Sequence, residues 1–349
     1  MLKNDSIPCL QSPDYTTQSS NAPFARSEHD EHRFDRVNAS FTRLVESHAM
    51  NLPLPGSGRT ILRWTSLAEV AADDLCVARL FEAHLDAMAI LAELHGPVPP
   101  RGSRWGVWAA HPAQPSLVAH RVGDAWHLSG TKPYCSGARI CTHALVSADA
   151  DDGYRLFAVE LGKGVSPRLG TWPAVGMAAS DSLTVDFDQV RAVGVGASND
   201  YLRRPGFWYG AIAVASCWYG GALGLARSLL FAHRDYTLGP HALVHLGAVD
   251  AALHSLANDM RVLSDEVDRD PLDQARTAEI RARQFRQQGE VVAMDVVDRV
   301  RRALGARPLV HDARHAALAA DLPVYVAQSH SESDLEKLGK LVVENGATW

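Results

Sequence analysis

The residues best suited to chemistry fall in two places. The first is Lys132-Pro133-Tyr134-Cys135-Ser136-Gly137, inside the stretch Trp126 to Ala148. Trp126 and Leu128 alternate with polar neighbours, Ser129-Gly130-Thr131-Lys132 supplies turn residues, and Ala144-Leu145-Val146 resumes an apolar run, which predicts strand, tight turn, strand. The centre is too polar and too rich in Gly and Pro for a sheet core, so it should meet something other than a packed helix; the competing reading is a plain surface hairpin. The second place is His330. An imidazole with an ordinary pKa near 6.5 suits proton transfer at neutral pH, whereas a His in a polar loop or at a helix terminus also serves simply as a hydrogen-bonding group.

These residues need a scaffold, and composition says what kind. A chain of 349 residues, 46% hydrophobic and 21% charged, can bury a sizeable core and divides into more than one domain. A formal charge of −6 and the lack of a dense basic run give no attraction to nucleic acid or anionic lipid. The five cysteines, Cys9, Cys76, Cys135, Cys141 and Cys217, form neither a Cys-x-x-Cys pair nor a metal spacing and suit reduced thiols. The N-terminus lacks the apolar core of a secretory signal, and no apolar run reaches the ~18 residues of a membrane span, so a cytoplasmic location is expected.

Residues 1–27 are polar and aperiodic and predict a mobile tail. A helical domain over 28–102 follows. Phe34, Val37, Phe41, Leu44 and Val45 recur at helical spacing, and Thr65 to Leu94 predicts two consecutive helices. His84, Asp86 and Glu93 lie there with spacing that could hold a metal, but a polar face between helices explains them better, since no Glu-x-x-His pair is present. Gly96 to Gly102 marks a boundary. A small β domain over 103–195 is built from Trp105–Ala110, Leu117–Arg121, Trp126–Leu128, Ala144–Ser147, Arg155–Leu161 and Leu183–Phe187. The last domain, 203–349, is a helical bundle: Phe207 to His233 with Gly220, Gly221 and Gly224 embedded, Val249 to Val267, Ala278 to Leu304, and a helical region over about 311–343. The fold class is α+β.

The segment WHLSGTKPYCSGARICTHALVSA resembles the acyl-CoA dehydrogenase segment Leu-Asn-Gly-x-Lys-x-Trp-Ile-Thr-Asn-Gly, whose Trp-Ile-Thr triplet lies along the flavin; Tyr134, Cys135 and Ser136 fall at that triplet. Trp108 to Ser116 aligns in spacing with the family loop Leu-Thr-Glu-Pro-Gly-Ala-Gly-Ser between flavin and thioester. The resemblance therefore implies cofactor contacts at Trp108 and Ala110 and a substrate contact at Ser116. Thr171 to Ser182, followed by Val185 to Val190, resembles the family's Gly-x-Arg-x-Ser-Asp-Thr turn and is expected to serve the fold more than the chemistry. GGALGLAR resembles the corresponding family helix, and the whole likeness covers roughly residues 50–343.

That resemblance implies FAD, with FMN as the other choice, and a homodimer or homotetramer. It implies oxidation of an acyl substrate such as a CoA thioester by an unnamed electron acceptor, with a carboxylate taking the α-proton. The run that corresponds to the family's Tyr-Glu-Gly-Thr loop is Ala320 to His330, which puts Ser329 at the Glu position beside His330. The alternative base position falls on Val214, and Glu332 and Asp334 are near only in sequence. The Arg-x-x-Phe-Gly that serves a neighbouring subunit's dinucleotide aligns with Asp235, one residue from Arg234, and the later glycine pair keeps only Gly305. Three functions follow: a flavin-dependent acyl-CoA dehydrogenase-like oxidoreductase first, a monooxygenase of the same fold in which His330 and Ser136 assist proton transfer second, and a non-catalytic scaffold third.

Overall fold

The computed structural model describes residues 28–47, 52–110, 116–235 and 237–346. The expected N-terminal tail and His111 to Pro115 of the loop preceding Ser116 lie outside the described residues.

Helix α1 (Glu28–Ser47) buries Phe34, Val37, Phe41 and Val45, a stripe at the three- and four-residue spacing of one helix face. Helices α2 (Thr60–Asp73) and α3 (Leu75–Glu93) are separated by one residue. Asp74 stops the first in extended backbone and starts the second, its carboxylate accepting from the backbone N–H of Cys76 at 2.8 Å and Val77 at 3.1 Å.

Seven strands follow: β1 (Trp105–Trp108), β2 (Leu117–Val122), β3 (Ala125–Cys135), β4 (His143–Ala150), β5 (Gly153–Glu160), β6 (Val165–Arg168) and β7 (Leu183–Val195). Antiparallel pairs β2–β3, β3–β7, β7–β5 and β5–β4 continue through a short parallel contact of β4 with β2, so the ladder closes on itself. Strand β1 runs parallel to β4, and β6 flanks β7. Trp108, Leu128, Cys135, Val146, Phe157 and Val185 are among the side chains that fill the interior.

The structure corrects the expected turn at Ser129 to Lys132. Strand β3 runs straight through it, and the hairpin turn is at Gly123 and Asp124 instead. The polar residues mark two register shifts, after Leu128 and after Lys132. Gly130 sits at the first with φ of +125°, where a Cβ would come within 2.4 Å of the Ser116 carbonyl. That carbonyl accepts from Thr131 N–H at 3.0 Å, so the bulge closes around a hydrogen bond that only Gly permits.

After a short α4 (Asp200–Arg203) come α5 (Gly206–Asp235), α6 (Pro240–Arg269), α7 (Ala278–Leu304), α8 (Arg307–His311), α9 (Ala313–Val326) and α10 (Ser331–Glu344). The single helical region expected over 311–343 is broken at Ala327 to His330. The stretch Gly206–Arg234 is long and apolar enough to cross a membrane, but it is mostly buried against α2, α3, α7 and α9. At Gly220 and Gly224 a Cβ would stand 2.2 and 2.3 Å from the carbonyls of Ala68 and Ala72, so these glycines set how closely α5 lies on α2. One hydrophobic cluster joins α1–α3 to α5–α7 and α9.

Candidate active site

A cavity of about 940 Å³ opens between the sheet and the helices. Its sheet side comes from the end of β3 and the loop into β7: Tyr134, Ser136, Trp172, Met177, Ser180 and Ser182. Its helix side comes from α3, α5 and α7, with Arg79, Glu82, Asp86, Phe207, Trp208, Arg283 and Arg286. The break between α9 and α10 contributes Ala327, Gln328, Ser329 and His330 along the rim.

On the sheet side three hydroxyls form a chain. Ser180 Oγ donates to the Met177 carbonyl at 2.8 Å, Ser180 and Ser182 Oγ lie 2.8 Å apart, and so do Ser182 and Ser136. Each hydroxyl has one proton, and a carbonyl only accepts. With Ser180's proton committed to Met177, Ser182 must donate to Ser180 and Ser136 to Ser182. Ser136 thus spends its proton inward and has only acceptor lone pairs left to offer.

The backbone around this chain is held in unusual shapes. Tyr134, Met177 and Asp181 have φ of 61, 59 and 51°, conformations that cost L-residues of order 1–3 kcal/mol and need support. The support is visible. Met177 N–H donates to Asp321 Oδ1 at 2.6 Å, and Asp321 is itself paired with Arg33. Arg139 Nη2 lies 2.9 Å from Asp181, Gly137 N–H donates to Ser180 O at 2.8 Å, and Trp108 Nε1 donates to Ser136 O at 2.9 Å.

The helix side is charged and paired. Arg79 Nη1 lies 2.7 Å from Glu82 one turn on, and Arg204 bridges to Glu93 at 2.8 Å and Asp86 at 3.4 Å. Arg283 holds Asp334 of α10 at 2.8 Å and Glu279 at 2.9 Å. Burial pushes the Glu82 carboxyl up to about 7, with Asp86 adding to the rise and Arg79 opposing it. Asp86 and Glu93 therefore act as the inter-helix polar face expected of them. His84 takes no part in the cavity; its Nδ1 accepts from Trp105 N–H at 3.2 Å, and burial drives the ring down to about 4.

Several expected site residues lie together and others lie apart. Ala110, Tyr134, Ser136, Ser329 and His330 all line the cavity. His330 stands at the start of α10 without capping it by its side chain. Trp108 and Cys135 do not line it, because both point into the barrel interior; burial pushes the Cys135 thiol up, and its Sγ sits 3.2 Å from the Lys132 carbonyl. Ser116 is exposed beside the β3 bulge, its carbonyl occupied by Thr131. Arg234 is exposed on the last turn of α5, over Phe231 at 4.6 Å, and Gly305 terminates α7 with φ of +66° and open space around it. Within one chain none of these three lines the cavity: Arg234 and Gly305 end α5 and α7, whose opposite ends carry the site, and Ser116 precedes β2, which contributes no lining residue.

Sequence reasoning missed Ser180 and Ser182 by giving their turn only a structural part, and it missed Arg79, Glu82, Arg204, Arg283 and Arg286. One signal was present. A charged pair at three-residue spacing inside the mostly apolar run LCVARLFEAHLDAMAILAE has to meet either its own partner or a polar cavity.

No protein-family model matches the sequence, and no curated protein does. Solved structures do. The dibenzothiophene monooxygenase TdsC from Paenibacillus sp. A11-2, also solved with FMN and indole, superposes with a TM-score of 0.71 at 16% identity over 91% of this chain and 97% of its own. A nitrososynthase from Micromonospora carbonacea var. africana gives 0.68 at 19% identity over 89% and 94%. KijD3 in complex with FMN and a dTDP-linked amino-keto sugar gives 0.68 at 18% over 93% and 96%. At these identities the likeness is one of architecture, and the chain has the α+β fold of these enzymes, the one that its resemblance to acyl-CoA dehydrogenases implies.

Proposed function

We propose that this protein is a flavin-dependent monooxygenase that takes reduced FMN and oxygenates a small molecule held in the 940 Å³ cavity. The observation that carries this reading is the state of the carboxylates. Glu82, Asp86 and Asp334, which line the cavity, are each engaged by an arginine, while His330 and the Ser136–Ser182–Ser180 chain face the same space. In the acyl-CoA dehydrogenases that the sequence resembles, a free carboxylate removes the α-proton of the thioester, and among the described lining residues none stands free to do so. Oxygen transfer needs no such base.

The donor set fits a flavin. A cavity at the upper end of the usual ~300–1,000 Å³ range has room for a ring system and a small substrate together. Trp172 and Tyr134 supply aromatic surface for a flat heterocycle. Ser136 would supply an acceptor for the N5–H that reduced flavin carries and oxidised flavin lacks. FMN is preferred to FAD because Asp235 stands at the arginine position of the family's dinucleotide motif, where an acid repels a pyrophosphate. The FMN complexes of TdsC and KijD3 point the same way.

Bound reduced FMN would supply the electrons with which O2 gives one oxygen atom to the substrate and the other to water. The protein's part is to orient, to exclude water and to handle protons. Ser136 holds an N–H through its lone pairs, the paired helix wall fixes the substrate, and the His330 imidazole at the rim carries protons between cavity and solvent. The test supplies reduced FMN and 18O2 with a panel of aromatic, amino-sugar and sulfur compounds. Incorporation of one 18O atom into a product, weakened at least tenfold in His330→Ala, supports the reading. Anaerobic conversion of an acyl-CoA to its enoyl form would overturn it.

A further inference from the structure

Four arginines line the cavity, and only one lacks a carboxylate. Arg79 has Glu82, Arg204 has Asp86 and Glu93, and Arg283 has Asp334 and Glu279. Among the described residues no carboxylate comes within ion-pair distance of Arg286, whose guanidinium lies 4.6 Å over the ring of buried Trp218. Its Nη1 donates to the Ala211 carbonyl at 3.2 Å, which leaves the rest of the planar fork undirected. Of the acids nearest to it, Asp334 is paired with Arg283, and Glu290 accepts from the Ser331 hydroxyl through Oε1 at 2.6 Å while its buried Oε2 has no hydrogen-bond partner and lies beyond ion-pair distance of the guanidinium.

This arrangement is costly as it stands. Burial lowers the Arg286 pKa from its usual value, and the negative charges of Asp334 and Glu290 offset this only in part. A side chain present only for packing would do as well without the charge. A fork fixed by an aromatic ring beneath it and a carbonyl beside it is already arranged to receive two oxygens of one anion, the geometry in which guanidinium binds carboxylate, sulfonate or phosphate best. Lys337 on α10 adds a second cation at the exposed edge of the cavity.

We propose that Arg286 is the anion seat of the cavity, receiving an oxyanion carried by the bound small molecule, either the flavin phosphate or an acidic group of the substrate. This rests on the reading of the cavity as a flavin and substrate site. It adds that one of the two ligands is anionic at the α7 wall.

The test titrates wild type, Arg286→Gln and Arg286→Lys at low salt with FMN, riboflavin, inorganic phosphate and benzoate by calorimetry. Losing the anion should cost the Gln variant roughly tenfold or more in affinity, with the Lys variant between it and wild type because a point charge replaces the fork. A loss for FMN but not for riboflavin assigns the seat to the flavin phosphate. An unchanged FMN affinity with a loss for benzoate and phosphate on the FMN-loaded protein assigns it to the substrate. Equal binding of all four ligands by wild type and the Gln variant would overturn the proposal. If wild type takes up no flavin, the monooxygenase reading fails, while benzoate and phosphate on the flavin-free protein still decide the role of Arg286.

Discussion

The two walls of the cavity solve the same problem differently. On the sheet side Ser136, Ser182 and Ser180 line up neutral hydroxyls whose protons all run toward one carbonyl, and the cost of the site is carried by strained backbone at Tyr134, Met177 and Asp181. On the helix side the backbone is regular, and the cost is carried by buried charge, Arg79 with Glu82 and Arg204 with Asp86 and Glu93. Hydroxyl chains are directional and cheap to bury once satisfied. Charges are strong but must be matched one for one. The sheet wall is thus suited to fixing the orientation of a flat ring, and the helix wall to fixing a polar or charged substrate.

The contrast predicts unequal costs when each wall is cut. Arg79→Met leaves Glu82, with only 4% of its side chain exposed, without its partner, and should lower stability by about 3–5 kcal/mol in denaturant unfolding. The double variant Arg79→Met/Glu82→Leu should recover most of that loss, because it removes the orphaned charge as well. A double variant as unstable as the single one would mean that packing, not charge, dominates this wall.

The same wall should show its charges in the pH dependence of stability, with two opposite signs. Glu82 has a folded pKa raised from about 4.5 to about 7, so between those values the native state holds a proton that the unfolded state has released, and its contribution falls as pH rises. His84 has a folded pKa lowered from about 6.5 to about 4, so the unfolded state holds the extra proton, and stability is lost as pH falls through that window. Each shift corresponds to at most about 3 kcal/mol, and in the wild type the two partly cancel. Glu82→Gln should therefore expose a rise in stability with pH from about 4 to 6.5, and His84→Gln a fall from about 4.5 to 7, both read from urea midpoints. Flat profiles in both variants would show that the buried groups keep their ordinary ionisation.

How much of this was legible in the sequence follows from how local each feature is. Helix α7 was read with the bounds Ala278–Leu304 that the structure gives it, because a stripe from Ile280 to Leu304 beside a charged face is a local pattern. Strand β6 was missed because Val-Ser-Pro-Arg is four residues long and contains Pro. The break at Ala327 to His330 was overrun because nothing in the run marks it as a stop. For the site, Tyr134 and Ser136 were reachable through one contiguous segment, and Ser329 and His330 through one loop. The helix wall draws Arg79 and Glu82 from α3 and Arg286 from α7, some 200 positions on in the chain, and only packing brings them to one face. Arg234, Gly305 and Ser116 were reached through matching spacing alone; a single chain keeps them away from the cavity, and the motif behind Arg234 concerns a neighbouring subunit's dinucleotide.

The smallest expected effect is on the sheet wall, and it carries the sharpest sign. Ser182→Ala removes the middle hydroxyl, costing about 1 kcal/mol as two neutral hydrogen bonds are lost and the remaining hydroxyls turn to other partners. It also frees the Ser136 proton. In wild type Ser136 can only accept, which favours the N5–H of reduced FMN over the bare N5 of oxidised FMN. In the variant it can donate as well, so oxidised FMN should gain affinity relative to reduced FMN, and the reduction potential of bound flavin should fall. Ser180→Ala should not do this as fully, since Ser182 still accepts the Ser136 proton and holds it inward. Equal potentials in wild type and Ser182→Ala would mean that the hydroxyl chain only braces the loop, and the division between an orienting wall and a charged wall would lose its sheet half.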